Sequence, residues 1–249
     1  MHAENAVEVY QVQKRFSKTQ KSISKKVSSL LVECFTGKKP SPHLLKDEFL
    51  ALNDISFSVK KEETIAILGH NGAGKSTLLK MLNGIYLPDH GHITTKGIVA
   101  SVLELSTGFN DKLTGRQNIY FKGSMHGMNS SEISEIENEI INFSELDNFI
   151  DTPLKHYSSG MKARLGFAIV ANMKPDILIL DEVFAVGDKN FKIKSENVIK
   201  SLSESTTTII VSHSMAIVRA MAQRTIVLSK GKLIFDGDTE EAIKIYEKQ

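Results

Sequence analysis

Apolar residues recur along this chain with two different periods, and the periods sort it into strands and helices. Near the N-terminus Val7 and Val9 flank the acidic Glu8, and a second such stretch runs from Leu52 to Val59. That alternation predicts half-exposed antiparallel strands. The runs Thr64 to Leu68, Ile177 to Leu180 and Thr208 to Val211 are apolar almost throughout. Such runs predict parallel strands covered on both faces. Helical spacing appears at Leu78, Leu79 and Met81, again from Leu165 to Asn172, and between Asn129 and Ile150 at Ile133, Ile136, Ile140 and Ile141. Asn129 and Glu132 stand there as a helix cap and its third-position partner. Glu132, Glu135, Glu137 and Glu139 form the other face of that helix, and they predict a solvated surface rather than a metal site. Farther on, Thr225 to Ser229 and Lys232 to Phe235 flank Lys230-Gly231 as a hairpin, and Glu240 to Lys248 reads as a last helix. The pattern is that of an α/β protein with an N-terminal antiparallel part and a helical subdomain over about 105–165.

The chemistry is densest between the Thr64 strand and the helix that follows it. Residues 69–77 read Gly-His-Asn-Gly-Ala-Gly-Lys-Ser-Thr. A buried strand, a glycine-rich turn and a helix start bring several backbone N–H groups and a positive helix end to one point, which suits a phosphate chain. Gly69 and Gly74 allow close backbone approaches, Lys75 would reach the β- and γ-phosphates, and the Ser76 hydroxyl would ligate Mg²⁺. The nucleotide-binding set is Gly69, Asn71, Gly72, Ala73, Gly74, Lys75, Ser76 and Thr77.

A second constellation selects among nucleotide-binding proteins. Tyr157-Ser158-Ser159-Gly160-Met161 precedes a helix, and the strand Ile177 to Leu180 runs into Asp181-Glu182. Asp181 would hold Mg²⁺ through water, and Glu182 would polarise the attacking water. Ala185-Val186-Gly187-Asp188 follows, and the strand ending at Val211 leads to Ser212-His213. In this order the motifs resemble the nucleotide-binding subunit of an ABC transporter, a P-loop ATPase, over nearly the whole chain. The resemblance implies that Ser158, Ser159 and Gly160 are the family signature, Asp188 the end of the D-loop and His213 the switch histidine. Phe16 is the candidate aromatic for stacking on adenine, with Tyr10 and Phe49 as rivals. The family works as a head-to-tail homodimer, so one subunit's signature would close on ATP held by the other.

Two departures from the common pattern narrow the family. The signature is Tyr-Ser-Ser-Gly-Met rather than Leu-Ser-Gly-Gly-Gln, and Glu104 is the nearest equivalent of the glutamine that senses the membrane partner. A carboxylate there can still ligate Mg²⁺, but it adds negative charge that the metal must offset. Tyr-Ser-Ser-Gly-Met, Ala-Val-Gly-Asp and the run from Gly108-Phe109 through Leu113-Thr114-Gly115-Arg116 to Asn118-Ile119 resemble exporters of lipid-linked polysaccharides such as O-antigen, capsule and teichoic acid. The implied partners are a second copy of this chain, two copies of an integral-membrane subunit and the glycan cargo, at the cytoplasmic face of the inner membrane. An ABC ATPase serving another transported substrate is the alternative.

Composition trims the remaining classes. With 31 basic against 29 acidic residues the net charge is +2, which makes no case for nucleic acid. DNA-repair relatives carry long coiled coils and ribosomal ones two cores, and neither is seen. Cys34 is the single cysteine, so an intrachain disulfide is impossible. No apolar run reaches the roughly 18–20 residues that a bilayer span needs, and the start carries no secretory pattern. Residues 17–48 stand apart from this core as an insertion. From Lys14 to Lys46 there are nine basic residues against the one acid Glu33, with Ile23, Val27, Leu30, Leu31, Cys34 and Phe35 on one helical face. That segment reads equally as a contact for an anionic membrane or membrane subunit and as a cover for the small sheet.

Overall fold

A computed structural model describes residues 4–18, 47–102, 105, 108–181 and 188–249. In chain order the strands are β1 (Asn5–Ser17), β2 (Glu48–Lys60), β3 (Thr64–Leu68), β4 (His90–Thr95), β5 (Val99–Ser101), β6 (Ile177–Asp181), β7 (Thr207–Val211), β8 (Arg224–Ser229) and β9 (Lys232–Gly237). The helices are α1 (Lys75–Leu82), α2 (Gly115–Met125), α3 (Ser130–Ser144), α4 (Ser159–Asn172), α5 (Lys189–Ser203), α6 (Met215–Met221) and α7 (Thr239–Glu247). Two sheets result. β2, β1 and β4 form an antiparallel sheet in that order, and β5-β6-β7-β3-β8-β9 form a sheet that is parallel except for the β8–β9 hairpin. β3 and β7 are buried along their whole length, as continuous apolar runs require.

The main core lies between the two sheets and α1. Val7, Val9, Val12, Leu52 and Ile55 from the small sheet meet Ile65, Ile67, Leu78, Leu79, Ile179 and Ile209 there. Helices α2, α3 and α4 close around a core of their own, built from Ile119, Ile133, Ile140, Leu165 and Ile169. β3, β6 and β7 all end on one edge of the large sheet, where the loop after β3 and the carboxylate of Asp181 lie. In open α/β sheets that carboxyl edge is where ligands bind.

The helix after Asn129 and the face bearing Glu137 depart from expectation. The helix starting at Asn129 has the expected cap, with the Asn129 side chain accepting from the Ser131 and Glu132 amides and Glu132 accepting in return from the Asn129 N–H at 2.7 Å. It stops at Ser144 rather than Ile150, because Glu145 turns left-handed with φ 58°. Leu146 and Ile150 prolong the apolar pattern because they fill the same core from either end of a short 3₁₀ turn. Glu137 is not solvated: its side chain is 13 % exposed and accepts from the Arg116 guanidinium and, at 2.6 Å, from the Tyr120 hydroxyl. Arg116 and Tyr120 are one turn apart on α2, which lies against α3 and brings both to it. Of the 17–48 insertion, residues 19–46 lie outside the described residues; its two ends are neighbours, with Phe16 opposite Phe49 and the Lys18 amide donating to the Asp47 carbonyl at 2.7 Å.

Candidate functional site

The loop from Gly69 to Gly74 connects the end of β3 to α1. Two of its glycines, Gly69 and Gly74, are required by what surrounds them. A Cβ on Gly69 would come 2.6 Å from the Leu228 carbonyl of β8, and one on Gly74 would come 2.7 Å from the Ala51 carbonyl, at a backbone φ of +109°. The turn is closed by hydrogen bonds from the Ala73 amide to the His70 carbonyl and from the Gly231 amide to the Ala73 carbonyl, each 3.0 Å. Lys75, the first residue of α1, is buried, and its ammonium donates to the Gly69 carbonyl at 2.5 Å. α1 thus starts with its N–H groups and a cation facing the loop, an arrangement that favours anions.

A cavity of about 710 Å³ opens over this loop. Asn71, Gly72, Ala73, Gly74, Lys75, Ser76 and Thr77 line one end, and Asp181 enters from the end of β6. The other end is aromatic. Phe16 lies 6.0 Å from Phe49 and meets Tyr86 edge-on at 5.6 Å, while the Lys80 ammonium sits 5.5 Å over the Tyr86 ring. Of the three aromatics weighed for adenine, Phe16 and Phe49 line the cavity. Tyr10 packs on His92 instead, at 5.3 Å, away from it. Sequence reasoning missed Tyr86, His70, Lys80 and Lys230, which also line it. Lys80 lies on α1 and Tyr86 follows closely after it, so both are within reach of a reading by position. Lys230 arrives through the β8–β9 turn, a long-range approach without a local signal.

Ser158, Ser159 and Gly160 do not line this cavity. They start α4, where the Ser158 hydroxyl oxygen accepts from the Met161 amide at 3.2 Å. Ser158 and Ser159 are exposed. Among the described residues nothing requires a glycine at 160: its φ is not left-handed, and the nearest neighbour of an added Cβ is the Ser158 hydroxyl at 3.8 Å. Gly166, two turns along the same helix, differs. A Cβ there would overlap the Leu105 carbonyl, which also accepts from the buried Lys122 ammonium at 3.2 Å. Tyr157 is structural, since its hydroxyl donates to the Phe149 carbonyl at 2.7 Å and burial pushes its pKa up to about 12.

His213 stands two residues beyond the end of β7, is exposed, and is not among the residues lining the cavity. Asp188 caps α5. It accepts from the Phe191 and Asn190 amides at 3.1 and 3.0 Å, and these bonds, the Phe191 one foremost, hold its carboxyl below the usual range. Glu104, Glu182 and the stretch Ala185 to Gly187 lie outside the described residues. Among the described residues no three His, Cys, Asp or Glu side chains gather as a metal site.

Comparison with known proteins follows the same lines. Residues 52–185 match the ABC transporter family model. The O-antigen export system ATP-binding protein RfbB of Klebsiella pneumoniae is 44 % identical over 81 % of this chain and 82 % of its own length. The ABC transporter protein AbcA of Aeromonas salmonicida is 43 % identical over 80 % of this chain, and the teichoic acids export ATP-binding protein TagH of Lactococcus lactis is 42 % identical over 81 %. The match spans 65 % of AbcA and 43 % of TagH, so both are longer proteins. A solved ATP-binding subunit of an ABC transporter superposes with a TM-score of 0.71 at 18 % identity, covering 97 % of this chain and 93 % of that one. A dimeric ATP-binding cassette in a post-hydrolysis state with ADP and Pi gives 0.68 at 18 %, covering 94 % and 98 %. At these identities the structures speak for the fold.

Proposed function

Because this chain belongs to the ABC transporter family, we propose that it is the ATP-hydrolysing subunit of an exporter, working as a homodimer with an integral-membrane partner to move a lipid-linked polysaccharide across the inner membrane. The observation that carries the ATPase part is the cavity itself, which combines a cationic glycine-rich cradle, two oxygen ligands and an aromatic wall. Gly69, Asn71, Gly72, Ala73, Gly74, Lys75 and Thr77 receive the phosphates, and Phe16, with Phe49 and Tyr86 beside it, receives the base. Ser76 and Asp181 are oxygen donors of the kind Mg²⁺ takes while keeping several waters. Held by these two residues, Mg²⁺ would supply neutralising charge to the phosphates. Glu182, next to Asp181 in sequence, orients the attacking water, and His213 contacts the γ-phosphate. Glu104 takes the place of the sensing glutamine and a metal contact.

Ser158, Ser159 and Gly160 are assigned to the site of a second copy. Their absence from this chain's own cavity and the open space at Gly160 support that reading, since an exposed helix start with N–H groups and no side chain at its second residue can approach a phosphate closely. Docking of the membrane subunit is assigned to a second cavity of about 470 Å³, lined by Ile85, Gly108, Lys122, Met125 and His126. Ile85 and Met125 are exposed apolar side chains there, 46 % and 63 % accessible. Among the described residues no helix is long and apolar enough to cross a membrane. The polysaccharide assignment rests on the relatives' names and on the signature and Ala-Val-Gly-Asp motifs. It is tested by deleting the gene and staining surface and internal glycan: completed polymer held inside the cell is expected, and unchanged surface glycan with no second exporter would remove the cargo assignment and leave the ATPase reading.

A further inference from the structure

Helix α7 meets the glycine-rich loop through a ring pair. α7 starts at the Asp238 cap and buries Ala242 and Ile243 in a cluster with Ala66 and Leu68 of β3, Val227 of β8 and Val218 of α6. Leu68 is the residue before Gly69, so α7 is packed on the strand that delivers the loop. One turn beyond Ala242, Tyr246 stacks on His70 with ring centroids 4.7 Å apart and planes inclined by 24°. His70 is exposed and lines the cavity, while its carbonyl accepts from the Ala73 amide at 3.0 Å and lies 3.5 Å from the Lys75 ammonium. His70 is thus held by its ring on one side and by its carbonyl on the other. Its peptide plane fixes where the next N–H groups of the loop point.

We propose that Tyr246 is a positioning residue for the nucleotide: stacked on His70, it holds the 69–73 turn in the conformation whose amides receive a triphosphate. The inference rests on the ATP reading above. A loop of this kind loses affinity when its conformers multiply, because a ligand then binds only the competent fraction. An aromatic pair of this geometry stabilises one conformer enough to change that fraction about three- to tenfold.

The test uses the purified full chain, a fluorescent ATP analogue for Kd and steady-state ATPase assays for KM and kcat. Tyr246→Ala is expected to raise Kd and KM about three- to tenfold with kcat at saturating ATP within about twofold of wild type. Tyr246→Phe, which keeps the ring pair, is expected to bind as wild type. The double variant His70→Ala/Tyr246→Ala is expected to bind no more weakly than the weaker single variant. Wild-type affinity in Tyr246→Ala, an equal loss in Tyr246→Phe, or additive losses in the double variant would overturn the proposal. Should Tyr246→Ala fail to fold, an unchanged Kd in His70→Ala overturns it as well. Lys75→Ala separates the two levels: lost binding there beside a silent Tyr246→Ala leaves the ATP reading standing, whereas a wild-type chain that binds no ATP removes both.

Discussion

The Lys75 ammonium and the Gly69 carbonyl are 2.5 Å apart inside the glycine-rich loop, so the lysine at the start of α1 closes the loop on the strand that feeds it. The same cation is buried at the floor of the cavity and is held within reach of an anion placed over the loop. One side chain therefore shapes the cradle and supplies charge to it. Its removal should be felt in binding before chemistry.

Lys75→Ala is expected to raise the Kd for ATP by about ten- to a hundredfold, the scale of a lost charge-assisted hydrogen bond of roughly 1.5–3 kcal/mol, and to lower turnover. Glu182→Gln is expected to keep ATP affinity and lose hydrolysis, trapping a dimer. Nucleotide titration beside a phosphate-release assay separates the two, and near-normal hydrolysis in Glu182→Gln would take that residue out of the catalytic role.

The two glycines of α4 should part company on substitution. Gly166→Ala forces a methyl group against the Leu105 carbonyl, and overpacking of this sort costs about 1–3 kcal/mol. For a chain of this size each of those kcal/mol lowers Tm by roughly 2–4 °C. Gly160→Ala has room and an ordinary φ, so its Tm should match wild type or exceed it while its ATPase activity falls. Thermal unfolding recorded with the ATPase rate decides, and a large Tm loss in Gly160→Ala would mean that its glycine serves the fold after all.

Tyr157 makes stability depend on alkaline pH. An unfolded tyrosine ionises near 10, whereas burial raises this one to about 12. The folded state holds the proton more tightly, so the contribution is complete below about pH 10 and is lost as pH rises through about 12. Urea midpoints should fall more steeply over that window in wild type than in Tyr157→Phe. At pH 7 the variant should be less stable by about 1 kcal/mol, for the hydrogen bond to the Phe149 carbonyl. Parallel pH profiles for the two proteins would show that the phenol does not titrate as its burial implies.

Legibility in the sequence followed how local each determinant is. β3, β6 and β7 were plain because a fully buried parallel strand writes its burial as an unbroken apolar run. The cap at Asn129 was plain because both partners lie within four residues. β4 was invisible, since His90-Gly91-His92-Ile93-Thr94-Thr95 carries one large apolar side chain and, among the described residues, pairs with β1 alone. Glu137 looks solvated in the sequence because the residues that cover it, Arg116 and Tyr120, belong to another helix. In the cavity, the loop and Asp181 were legible as motifs tied to a strand end. The aromatic wall was only half so: Phe16 and Phe49 are register partners across β1 and β2, but Tyr86 joins them from the segment after α1.

On the proposed function, the cavity over Lys75 and the helix start at Gly160 are two halves of one site, completed by a second copy. Purified Lys75→Ala and Gly160→Asp subunits, each defective alone, can be mixed under conditions that exchange subunits. In the mixed dimer both lesions fall in one site and the other site is intact. Partial recovery of ATP hydrolysis on mixing, rising with the fraction of heterodimer, is the predicted result; demonstrated heterodimers that hydrolyse no faster than either parent would contradict the account.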